Sequence, residues 1–295
     1  GPVIMVIGLG LASVAVNMAT GKSGDGSQPL VDTNLALIIS MASLATTIFV
    51  AVYAKGLFRL VPILAGVIVG YGLSWILGVT SLDSVTTAPW LAVPEFVTPE
   101  FKLAAILFMI PVAIAPAIEH IGDVLAIGGV TGKDYLQKPG LQNTLLGDGL
   151  ATSAAALFGG PPNTTYSEVT GAVMLTRNFN PNVMIWAAVF AIGLSFVDKF
   201  GAVLLSMPVP VMGGILCLLF GSIAVVGMNT LIRQQVDLSQ ARNLCIVSVT
   251  LVFGIGGMAI GNDSLSLQGI SLCGVVAIIL NLVLPADKSQ AELTK

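Results

Sequence analysis

The sequence predicts an all-α, polytopic membrane protein, and three observations carry that expectation. Hydrophobic residues make up 55% of the 295 and charged residues only 9%, with a mean hydropathy of +0.95. An ordinary soluble domain carries about 25% charged residues, so this chain could not cover a water-facing surface. The apolar residues gather into ten runs near the ~20-residue length that crosses a bilayer. The connections between those runs alternate in charge. Helix is the expected state of every run, because an α-helix satisfies its own backbone in lipid.

The first run, 1–20, holds Gly8, Gly10 and Ala12, small residues that let membrane helices approach closely. The second, 34–53, is followed by Lys55 and Arg59. The third, 60–80, leads into a loop with Asp83, Glu95 and Glu100, and the fourth, 103–130, into Lys133 and Lys138. The fifth is 142–158. The sixth, 164–177, closes on Arg177, and the seventh is 182–205. The eighth, 210–229, precedes Arg233 and Arg242. The ninth, 242–260, contains Gly254, Gly256 and Gly257, and a short loop with Asp263 separates it from the tenth, 267–284. Every second connection is therefore basic, and the positive-inside rule makes that set cytoplasmic. The tail with Lys288 and Lys295 falls on the same side. Lys22 and Lys199 break the pattern, each near or beside an acid.

The net charge of −3 carries no nucleic-acid signature. Cys217, Cys245 and Cys273 lie inside apolar runs without metal-type spacing and read as small core hydrophobes. The chain enters an apolar run at Gly1 with no charged n-region, so the run is not a signal peptide. The expectation is a chain whose N-terminal part is missing. Pro2-Val3-Ile4 and Pro210-Val211-Met212 open similar spans, a faint echo that fits a duplicated transporter.

Two places break the apolar rule. In AIEHIGD, 117–123, Glu119 follows sixteen residues, Leu103 to Ile118, without a charge. Glu119 and Asp123 are four apart and share a helix face, with His120 turned about 100° away. The second place is GGPPNTTYSEVTG, 159–171, which carries Glu168. A charged group at membrane depth costs at least ~2.5–3.5 kcal/mol, and neither segment holds a Lys or Arg to pair with these acids. His120 reads as either a structural hydrogen-bonding residue or a proton carrier.

Pro161 and Pro162 cannot donate backbone hydrogen bonds, so the stretch before Tyr166 is expected to be extended. A helix starting near 165–167, capped by Asn163, Thr164 or Thr165, would aim free N–H groups into a cavity. Non-helical backbone at this depth persists only where protein buries it or it lines a wet cavity. A strand and half-helix of this kind points to a midplane binding site. Ionised carboxylates only accept hydrogen bonds, so the ligand is either rich in N–H donors or a cation. Protonated, either carboxylate could donate to a carbonyl and carry a proton with the substrate.

Taken in order, AIEHIGD, KDYLQKPGLQNTLLGDGLAT, FGGPPNTTYSEVTGAVMLTR and MPVPVMGGILCLLFGSIAVVG resemble the nucleobase–ascorbate transporters, also called nucleobase–cation symporter family 2. Bacterial uracil permeases give the nearest pattern. The resemblance covers essentially the whole chain and is strongest from Pro111 to Arg242. It implies fourteen segments in two inverted repeats of seven, each with core and gate parts, of which the first four segments would precede Gly1. On that plan 1–80 are gate segments of the first repeat and 81–102 an extracytoplasmic loop. Residues 103–205 form the core of the second repeat, 206–284 its gate, and 285–295 a cytoplasmic tail.

The resemblance also implies roles. Glu119 and Glu168 would hold the base, with Tyr166 and Ser167 lining the pocket. Glu119, Asp123 and His120 would couple a proton. Asp123 stands where uracil permeases often have histidine, and Ser167 where glycine is usual. Purine members usually have glutamine at Glu168. The implied function is a proton-coupled uracil symporter of a bacterial inner membrane, working by alternating access, with no cofactor beyond the coupling proton. The implied partners are uracil or a related nucleobase, the lipid bilayer and a second copy in a homodimer, but no nucleic acid. A purine permease such as a xanthine carrier is the alternative. An anion transporter of the same architecture needs a positive site, and no Lys or Arg lies near Glu119 or Glu168. An enzyme is excluded on chemistry: the one histidine has no neighbouring nucleophile and no metal-type spacing.

Overall fold

The computed structural model describes residues 1–166, 168–262 and 265–285. Ser167, Asp263, Lys288 and Lys295 of the sequence reading lie outside the described residues. Helix dominates, as expected: α1 Pro2–Gly10, α2 Ala12–Ala19, α3 Thr33–Tyr53, α4 Pro62–Ile76, α5 Asp83–Thr87, α6 Leu103–Val112, α7 Ile114–Thr131, α8 Leu141–Leu157, α9 Glu168–Thr176, α10 Asn182–Ser195, α11 Asp198–Leu205, α12 Val209–Arg233, α13 Ala241–Ile255 and α14 Gly269–Val283. One antiparallel ribbon, β1 Ala259–Asn262 with β2 Leu265–Gln268, precedes α14.

Among the described residues, three helical stretches are long and apolar enough to cross a membrane: Pro2–Ala19, Thr33–Tyr53 and Val209–Arg233. The pair α10 and α11 makes a fourth if its 86° bend is one broken span. Several of the ten apolar runs therefore appear as broken or shorter helices. The fourth run is divided into α6 and α7 at Ala113. Pro111 and Pro116 flank that break, and each removes a backbone donor. The sixth run forms only the nine residues of α9. At 1.5 Å per residue that is about 14 Å, half a bilayer core.

The chain packs as two compact units. One comprises Gly1–Leu11, Thr98–Ser167 and Phe220–Lys295. Its core is Val3, Val6 and Cys273, with Leu251 and Ala277 against them, where α1 meets α13 and α14. Gly8 sits against the α12 backbone at Phe220 and Ala224, and Gly254 against the side chain of Val6. Arg242, at the start of α13, donates from Nη2 to the Asn281 carbonyl and side chain, both at 2.8 Å, and from Nε to the Leu284 carbonyl at 3.3 Å. It thereby satisfies the open C-terminal end of α14.

The other unit comprises Ala12–Val97 and Glu168–Leu219. Its core is Ile39, Val211 and Ile215, ringed by Val67, Leu73, Val79 and Met207. Asp32 caps α3, accepting from the Asn34 and Leu35 amides at 3.0 and 3.4 Å. Buried Ser43 on α3 donates to the Gly66 carbonyl on α4 at 2.9 Å. Gly213 and Gly214 of α12 lie directly on the backbones of Met18–Ala19 and Ser40. Lys199, an outlier in the loop-charge pattern, donates to the Val85 and Thr86 carbonyls at 2.9 and 3.3 Å and lies 5.3 Å from the Trp90 ring. It serves the C-terminal carbonyls of α5 and makes a cation–π contact.

Candidate functional site

Within the first unit, α7 and α8 pack together and α8 leads into the Gly-Pro stretch. The helix α7 runs unbroken through Glu119, His120 and Asp123, so the sequence-derived spacing holds. Glu119 and Asp123 are half-buried on one face, while His120 is only 2% exposed. Its Nδ1 lies 3.8 Å from Oδ2 of Asp148 on α8. Neither ring nitrogen of His120 has a hydrogen-bond partner among the described residues.

The stop of α8 follows from backbone chemistry. Gly159 adopts φ +79, a left-handed conformation that costs glycine little. The Gly160 amide then donates to the Ala155 carbonyl at 2.8 Å and the Gly159 amide to Ala156 at 3.1 Å. These are the paired hydrogen bonds of a helix C-terminal turn, and Pro161–Pro162 prevent the helix from resuming. Residues 160–166 are non-helical, as expected. They join no strand among the described residues, so the expected short strand is a non-helical run without a ladder. Thr152 on α8 holds this run in place of a neighbouring strand. Its hydroxyl donates to the Asn163 carbonyl at 2.8 Å and accepts from the Asn163 amide at 3.2 Å. Asn163 Nδ2 donates to the Ala151 carbonyl at 3.3 Å. Asp148 and Thr152 are four apart, so one face of α8 serves both His120 and the non-helical run.

Thr164 and Thr165 have buried hydroxyl oxygens without a hydrogen-bond partner among the described residues, and Tyr166 is exposed. Glu168 opens α9, one to three residues after the expected start. It belongs to the second unit, and its side chain lies outside those described. The structure thus keeps Glu119, His120 and Asp123 on one helix, α7, and brings Asp148 of α8 to His120. Ser167 falls outside the described residues. Asp148 and Thr152 escaped the sequence reading. The available signal was a lone carboxylate between two glycines in LLGDGLA, inside an apolar run. Among the described residues no three His, Cys, Asp or Glu side chains gather as a metal site. The arrangement offers acceptors for N–H donors and a buried imidazole able to take a proton.

A permease family profile, that of the nucleobase–ascorbate transporters, matches residues 1–263. The probable uracil permease of Pasteurella multocida is 61% identical over 289 residues, covering 98% of this chain and 68% of that protein. The uracil permease of Bacillus caldolyticus is 44% identical over 299 residues, covering 99% of this chain and 68% of that protein. The uracil permease of Escherichia coli strain K12 is 38% identical over 283 residues, covering 96% and 65%. The chain spans about two-thirds of the length of these relatives.

Proposed function

The chain belongs to the permease family of nucleobase–ascorbate transporters, and within it we propose that the protein carries uracil across a bacterial inner membrane together with a proton. Permeases are transporters, and the exclusion of an enzyme from the sequence agrees with that membership. The observation that carries the substrate is the 61% identity along 98% of the chain to a protein named as a probable uracil permease.

The chemistry of the site agrees with such a ligand. Uracil presents ring N–H donors, and ionised Glu119 and Glu168 accept hydrogen bonds. On the family resemblance, Glu119 and Glu168 are the two carboxylates that hold the base. Transport proceeds by alternating access, with the core elements moving against the gate. Glu119, Asp123 and His120 carry the coupling proton, and no cofactor takes part. Glycine contacts such as Gly214 on Ser40 bring α12 and α3, gate helices on this reading, to backbone distance.

The test is uptake of labelled uracil by cells expressing the full-length gene, with and without a protonophore and with excess unlabelled xanthine. Uptake that collapses with the protonophore and ignores xanthine is expected. Glu119→Gln abolishes proton-driven accumulation, and full pH-dependent uptake by that variant would remove Glu119 from the coupling. Asp123, at a place where purine members of the family often have aspartate, favours a purine carrier as the second reading. Block by xanthine would establish that reading instead.

A further inference from the structure

We propose that Asp148 is a positioning residue for proton coupling: it fixes the tautomer and orientation of the buried His120 imidazole, so that the ring's far nitrogen can take and release the coupling proton. The inference rests on the transport reading above, although its first test does not.

His120 is 2% exposed, and burial without a polar partner is costly for an imidazole. Its Nδ1 faces Asp148 Oδ2 at 3.8 Å, beyond a hydrogen bond but within reach of a small side-chain rotation. The Asp148 side chain is itself only 18% exposed. Besides α8, the elements packed against α7 are α14, α6, α1 and the turn Leu136–Gly140. Helices α1 and α6 carry no charged side chain, α14 offers only Cys273 as a titratable group, and the turn contributes Lys138. Glu119 and Asp123 share α7 itself. Asp148 is the group that α8 brings to the ring.

The proton balance is closed within this pair. In the neutral ring Nδ1 carries the hydrogen and donates it toward the Asp148 carboxylate. That leaves the Nε2 lone pair open. A proton arriving at Nε2 gives an imidazolium beside an ionised carboxylate, a pair with no net charge. Its departure from Nε2 restores the neutral ring, and Asp148 stays ionised throughout. A carboxylate that orients an imidazole through one nitrogen, so that the other does the work, is a general device.

The first test is ¹⁵N NMR of the full-length protein labelled at histidine, with His120→Gln identifying the His120 signals. The expected result is a neutral ring protonated at Nδ1. In Asp148→Asn the expected result is a mixed or reversed tautomer, and in Asp148→Glu a return to the Nδ1-protonated form. A wild-type ring protonated at Nε2 overturns the proposal whatever the variants do. The second test separates binding from coupling in proteoliposomes. Asp148→Asn is expected to retain uracil affinity and uracil–uracil exchange while losing proton-driven accumulation by about tenfold or more. The pH profile of accumulation is expected to shift, and Asp148→Glu to recover part of the loss. Equal loss of exchange and accumulation, or unchanged accumulation in Asp148→Asn, overturns the positioning role. If the wild type carries no uracil, the transport reading fails, and the tautomer measurement still decides the pairing.

Discussion

Gly214 and Gly221 lie seven residues apart on the same helix, α12, and make a controlled pair. A Cβ at Gly214 would fall inside contact distance of the Ser40 carbonyl oxygen, with the Ser40 carbonyl carbon and Cα at only 3.0 and 3.1 Å. These are backbone atoms of α3, and Ser40 is fully buried, so nothing there can swing aside. Ordinary contact begins near 3.4 Å, and α12 must retreat from α3 to accept an alanine. At Gly221 a Cβ meets no atom within 4 Å. Both substitutions gain the same helix propensity, about 1 kcal/mol. Only Gly214→Ala adds an overpacking cost, about 1–3 kcal/mol. Gly214→Ala should therefore be destabilised by about 0–2 kcal/mol, whereas Gly221→Ala is neutral or stabilised by up to about 1 kcal/mol. The difference between the two, about 1–3 kcal/mol, is the packing effect alone and corresponds to a gap of about 2–12 °C in melting temperature. Thermal unfolding of the detergent-solubilised protein, followed by size-exclusion chromatography, measures it. Equal melting temperatures for the two variants would refute the close approach of α3 and α12.

Two further predictions concern the non-helical run and a loop outside the spans. Thr152→Val removes both hydrogen bonds to Asn163 while keeping the side-chain volume, so it should loosen residues 160–166 by about 1–3 kcal/mol. Weaker uracil binding at unchanged protein yield is the expected readout, and unaltered affinity would show that Thr152 does not support the site. Asp25, in the loop between α2 and α3, is held down to about 2 from its ordinary 3.8, first by the Ser23 hydroxyl, then by the Ser27 hydroxyl and amide. A depressed carboxylate stabilises above its ordinary value, and that contribution is lost as pH falls through about 2. Ser23→Ala should move the Asp25 midpoint up toward 3.8, as read by carboxyl ¹³C NMR titration. An unmoved midpoint would show that Ser23 is not its main donor.

Several features were legible in the sequence because their causes are local. Pro161 and Pro162 lack donors wherever they stand, and Gly159 tolerates a left-handed backbone, so the end of α8 and the non-helical run could be read from GGPP. The i, i+4 relation of Glu119 and Asp123 needs only a helix, and α7 supplies one. The division of the fourth run at Ala113 was also present in its prolines, but mean hydropathy passes over them. The outliers were less legible. Lys199 disturbed the loop-charge pattern until α5 supplied carbonyls for its ammonium group. Asp148 was one acid in an apolar run, and no periodicity says which neighbour it faces.

By itself the sequence determined the membrane class, the acid-bearing segments and the break at 159–162. These depend on side-chain transfer energies and on which residues can donate or twist, properties that each residue carries with it. The tertiary structure decided that Asp148 faces His120, that Thr152 holds Asn163, and that Gly214 rests on Ser40. Those facts depend on how helices distant in the chain dock, and docking is set by close packing and non-local hydrogen bonds that no single segment encodes.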